Sequence, residues 1–230
     1  MSDNSTLKQI VVGSIVTVIG ALAGTIFNLL FVGKLNLNSW WVFALGGALL
    51  ALFVFRLYRE FNQDVVSYGK RVALRTYDNS FVAMDTNKDN QLFGGAQYIR
   101  AWQLFEILDA STPFARRRRR GKPVHYGDQV AFKTINKRKM VGAALHNESE
   151  LTAWVDHVRE WESFTLCFAP VSEPVKQDVV RYGSPFALQA HNGKYIQCDF
   201  DNNKRLEATA GGIAEWETFV FVNPNNPNQV

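Results

Sequence analysis

The chain has 230 residues, 47% of them hydrophobic, and a formal net charge of +4, so it can bury a real core, although the averages hide two unlike parts. The charge is confined: from Phe61 onward 21 Lys+Arg stand against 19 Asp+Glu, and five of those cations are the run Arg116 to Arg120, which excludes a diffuse basic surface and points to a local one. Two cysteines, Cys167 and Cys198, are too few for a disulfide framework; buried thiols in a reducing compartment are the ordinary reading, with a single bridge left open.

In chain order, the first part is apolar. From Gln9 to Gly33 there are 25 residues without a charge and from Leu35 to Phe55 another 21, separated by Lys34. A helix needs about 20 residues to cross the hydrocarbon layer. The pattern predicts two transmembrane helices, about 10–32 and 39–55, within a segment 1–60. The link Lys34 to Asn38 is so short that they form an antiparallel hairpin. Trp40 and Trp41 suit a membrane interface, and Lys8, Arg56 and Arg59 against Lys34 in the loop put both termini in the cytoplasm. A competing reading takes Ala21-Leu22-Ala23 as a signal cleavage site, but the apolar run continues past it and a second one follows. Gly20 and Gly24 lie one turn apart, and Asn28 continues their face. That face fits either a homo-oligomer through the helices or packing inside the hairpin.

The second part, 61–230, is a threefold repeat over about 66–112, 123–172 and 179–223. Tyr68-Gly69 recurs as Tyr126-Gly127 and Tyr182-Gly183, and Trp102-Gln-Leu-Phe105 as Trp161-Glu-Ser-Phe164 and Trp216-Glu-Thr-Phe219. Between these signatures each copy carries two more short apolar stretches, such as Tyr195 to Cys198 and Leu206 to Ala208, divided by turn formers such as Asn192-Gly193. Four strands per copy make twelve, and three such units close into a β-trefoil whose repeated Leu, Phe and Trp meet near the pseudo-threefold axis. The fold class expected is therefore a two-helix membrane hairpin plus an all-β trefoil domain.

The third copy, His191-Asn-Gly-Lys-Tyr195 through Glu215-Trp216-Glu217-Thr-Phe219, resembles the fascin-like branch of the trefoils. Ricin-type lectins are less similar, since their Gln-x-Trp closing signature is absent. Fascin bundles actin with several trefoils, so that activity does not carry over to one.

No catalytic constellation stands out. His125, His146, His157 and His191 fall at unrelated places in the repeats and lack metal-ligand spacing. Gln103 replaces the acid of Glu162 and Glu217, which argues against a shared acid–base role. No enzyme, metal or cofactor is expected. The functional surface expected is Arg116, Arg117, Arg118, Arg119, Arg120 and Lys122, read as a loop of mutually repelling cations that seeks nucleic acid phosphates or anionic lipid headgroups. A merely solvated loop is the plain alternative, and Lys137-Arg138-Lys139 is a candidate extension of the same face.

A small two-helix anchor on a cytoplasmic β domain resembles the two-transmembrane effectors of bacterial anti-phage systems, including those encoded beside retrons. That resemblance implies an inner-membrane protein held silent by a reverse transcriptase with its DNA or RNA, which damages the membrane on release. The rival expectation is a passive membrane-tethered trefoil that binds a protein or a glycan.

Overall fold

The structure is a computed structural model and describes residues 48, 50–54, 56, 64–143, 149–169 and 178–227. They belong to two units, 1–62 and 63–230. In the first, the described residues between 48 and 56 are helical, and Leu50, Leu52, Phe53 and Val54 are exposed. The predicted first span, 10–32, with Gly20, Gly24 and Asn28, lies outside the described residues.

Among the described residues no helix is long and apolar enough to cross a membrane. This corrects both the membrane-hairpin part of the expected fold class and the multi-pass inner-membrane localisation. The physical reason is geometric. An uncharged run shows only that a stretch tolerates lipid, whereas a span needs one uninterrupted helix of about 20 residues.

In the second unit twelve strands are described: β1 (Arg71–Arg75), β2 (Phe81–Asp85), β3 (Gln91–Ala96), β4 (Phe105–Asp109), β5 (Gln129–Thr134), β6 (Met140–Ala143), β7 (Leu151–Val155), β8 (Phe164–Phe168), β9 (Pro185–Gln189), β10 (Tyr195–Asp199), β11 (Arg205–Ala210) and β12 (Phe219–Val222). One short helix, α1 (Pro113–Arg119), stands between β4 and β5.

The pairings close a ring. β1 pairs with β4, β4 with β5, β5 with β8, β8 with β9, β9 with β12, and β12 with β1, all antiparallel. The first and last strands of the three repeats thus form a six-stranded barrel. The middle strands leave it as hairpins β2–β3, β6–β7 and β10–β11, each with a register shift at its start, at Phe81/Val82, Met140/Val141 and Tyr195/Ile196. The hairpins meet one another where β3 pairs with β7 and β11 and where Glu150 bridges Glu207. At another point of the domain Val66, Val124 and Val180 close a ring of three backbone hydrogen bonds of 2.9–3.0 Å, one per repeat. This is the β-trefoil expected of the second part.

A single repeat cannot cover its own apolar face, which is why three must share one core. Phe105, Phe164 and Phe219 are fully buried, as are Leu92, Leu151 and Leu206, and all six surround a small apolar void. The tryptophans do not join them. Trp102, Trp161 and Trp216 are only partly buried; Trp161 sets its ring against His191 at 5.2 Å and Trp216 against Phe200 at 5.6 Å. They occupy the turns that precede β4, β8 and β12, and Trp102 packs against the margin of the core. Each Tyr-Gly step places its glycine at φ of +79° to +87°, where a side chain is strained, so that its N–H reaches the carbonyl of Ile107, Leu166 or Phe221 in its own repeat.

Candidate functional site

The arginine run is the end of α1, where a loop was expected. Thr112 accepts the Arg116 N–H at 3.0 Å, and Pro113 takes the first helical position, where its missing N–H costs nothing. Arg116 to Arg119 fill the last turn, where cations suit the negative end of the helix. Gly121, at φ +79°, follows as the left-handed stop.

Mutual repulsion does not unravel this helix because three of the cations have partners. Arg119 donates to the Asp109 carboxylate at 2.9 Å and to Asp128 at 3.0 Å, with its guanidinium carbon 4.8 Å from the centre of the Tyr68 ring. Arg116 donates through Nε to the Asp109 carbonyl at 2.9 Å. Arg120 pairs with Glu106 at 3.7 Å in an exposed contact, which contributes little.

Asp109 is 1% exposed and also accepts the backbone N–H and hydroxyl of Ser111. Burial would raise the Asp128 carboxyl, but hydrogen bonds from the His125 N–H, the Tyr68 hydroxyl and Arg119 overcome it and hold it below the usual carboxylate range. Tyr68 is pushed far above the ordinary phenol, first by burial and then by the hydrogen bond it donates to Asp128 at 2.8 Å.

Arg117, Arg118, Arg120 and Lys122 are exposed. Phe114 is 77% exposed, and its spacing from Arg117 and Arg118 puts all three on one helix face. Sequence reasoning passed over Phe114 and the helix itself. The signal was present in Thr112-Pro113 at one end and Gly121 at the other, the pattern of a capped helix.

Lys137, Arg138 and Lys139 do not extend this face. They sit in the turn after β5, whose far end, Thr134, pairs with Phe105, whereas α1 follows Asp109, which pairs with Val130. About 13 Å of strand separates the two. Lys139 is held by Asp156 at 2.9 Å.

The repeated Gln103, Glu162 and Glu217 are buried structural caps. Each accepts the backbone N–H three residues earlier, from Arg100, Arg159 and Ala214, at 2.7–2.8 Å. His125 lies 3.6 Å from Asp128 and His191 3.5 Å from Glu160; His157 is exposed, and His146 lies outside the described residues. No group of His, Cys, Asp or Glu among the described residues could hold a metal ion. Cys167 and Cys198 are free thiols, which closes the question of a bridge between them, and burial pushes Cys198 up to about 12.

No protein-family model matches the chain, and no curated protein does. Solved structures do. An SDF2-like protein from Arabidopsis thaliana matches at 9% identity and a TM-score of 0.55, over 69% of this chain and 95% of that one. A Caenorhabditis elegans protein of unknown function matches at 12% and 0.55, over 71% and 98%. A BEL β-trefoil matches at 12% and 0.50, over 69% and 96%. At such identities the likeness speaks for the fold alone.

Proposed function

We propose that the chain is a non-enzymatic binding module, a β-trefoil that captures a polyanionic partner on the outer face of α1 through Phe114, Arg117 and Arg118, with Arg120 and Lys122 beside them. The observation that carries this reading is the Arg119 clamp. By tying the helix to Asp109 and Asp128, it presents the outer cations on a fixed support, which lowers the ordering cost of binding. Guanidinium forks match phosphate, sulfate and carboxylate oxygens, so an acidic protein or an acidic glycan meets the requirement. Stacking on Phe114 would single out a nucleic acid.

The test is binding of a sulfated polysaccharide, a poly-glutamate peptide and a single-stranded oligonucleotide across a salt titration. Affinity falls with salt, and Arg117→Ser with Arg118→Ser lowers the oligonucleotide's logarithmic slope by about 2. Absence of binding to all three probes at low salt removes the reading. The effector alternative depends on membrane helices and draws no support from the described residues. The fascin-like resemblance adds no partner of its own.

A further inference from the structure

An open cleft of about 350 Å³ lies on the outer wall of the barrel where the second repeat meets the third. Its centre is a row of three residues placed side by side by the strand register: Gln129 on β5 opposite Thr165 on β8, and Thr165 opposite Gln189 on β9. Ser163 and His191 join the row in lining the cleft.

The pseudo-threefold symmetry supplies an internal control. At the junction of the first and second repeats the equivalent row is Arg71, Glu106 and Lys133, two cations flanking one anion. At the junction of the third and first it is Pro185, Val220 and Arg75. Only the middle junction carries a row of neutral hydrogen-bonding groups. Among the described residues the side chains of Gln129, Ser163 and Thr165 have no hydrogen-bond partner, and the Gln189 amide spends one N–H on the Gly193 carbonyl at 3.0 Å and keeps its oxygen free.

We infer that this cleft is a binding site for a neutral polyhydroxylated ligand, a sugar ring of a glycan. Charge argues first: the two ionic lining residues, Arg159 and Glu160, are of opposite sign, so a charged ligand gains nothing overall. Hydrogen-bonding capacity argues second. Carboxamides and hydroxyls both donate and accept, and a ligand rich in hydroxyls answers both at every position; an apolar ligand would leave the amides unpaired at a cost. A peptide strand is disfavoured because the barrel is closed here, so β5, β8 and β9 offer no free edge to extend. The volume lies at the small end of ligand sites, right for one or two rings.

The experiment is titration of the purified chain with maltose, cellobiose, lactose and diacetylchitobiose, read by saturation-transfer NMR and calorimetry at low and high salt. At least one disaccharide binds with an affinity indifferent to salt. Gln129→Ala and Gln189→Ala each weaken it about tenfold, while Arg71→Ala, the equivalent position at the first junction, leaves it unchanged, as does loss of Arg117 and Arg118. Gln129 and Gln189 face outward, and unchanged melting temperatures confirm that the variants fold. The inference is overturned if none of the four sugars binds, if binding survives the double glutamine variant, or if it falls with salt as polyanion binding does.

Discussion

The first and second repeat junctions share one register and differ in what that register displays. At both, an inward pair is apolar: Val72 with Phe105, and Val130 with Phe164. One residue away the chain faces outward, and there the first junction shows a charged row, Arg71, Glu106 and Lys133, with α1 following its middle strand, whereas the second shows the glutamine–threonine row over a cleft. Alternation along a strand separates the two demands, because inward positions must fill a common core and outward ones answer only to water or a ligand. A trefoil can therefore keep its packing threefold while its surface becomes three different things.

The contrast is most sharply tested by pairing an inward change with its outward neighbour. Phe164→Ala removes a fully buried ring that packs 6.2 Å from Phe132 and costs about 4 kcal/mol. Gln129→Ala, across the same strand pair, stays within about 0.5 kcal/mol. Chemical denaturation measures both, and a comparable loss at the two positions would break the division.

Next in size is the clamp under α1. Arg119→Ala leaves the buried Asp109 carboxylate without its ion pair and costs about 3 kcal/mol. Arg117→Ala and Arg118→Ala leave stability almost untouched while weakening polyanion binding. Equal melting temperatures for the three single variants would show that the inner and outer arginines are not distinct.

The smallest effect is on acid stability. Asp128 is held below its ordinary value when folded, so it binds its proton more tightly when unfolded. The stability it contributes is complete above about pH 4, the unfolded value, and is lost as pH falls through the folded one. Asp128→Asn flattens that part of the pH–stability curve, and a curve of unchanged shape would show that the hydrogen bonds of Asp128 do not favour its charged form.

Much of the fold was legible because the signal is local and repeated. The Tyr-Gly step, the Leu strand and the Phe that closes each copy recur at nearly constant spacing; the Leu and Phe are buried in every copy, the tyrosine fully as Tyr68 and partly as Tyr126 and Tyr182. Tryptophan was misplaced because recurrence shows that a residue is structural without showing how deep it packs. The arginine helix was legible in Thr112-Pro113 and Gly121, but mutual repulsion by itself favours a loop, and the carboxylates of Asp109 and Asp128 that offset it are brought to Arg119 only by the fold. Uncharged length in the first part marked an apolar stretch, but no helix among the described residues reaches across a bilayer.

What the sequence determined by itself is the threefold core, because an apolar face too small to be buried alone must recur until the copies cover one another. Which polar groups stand together was decided only by tertiary structure. Gln129, Thr165 and Gln189 are remote along the chain, and so are Tyr68 and Asp128; backbone hydrogen-bond register, which no single strand carries, brings each set within reach.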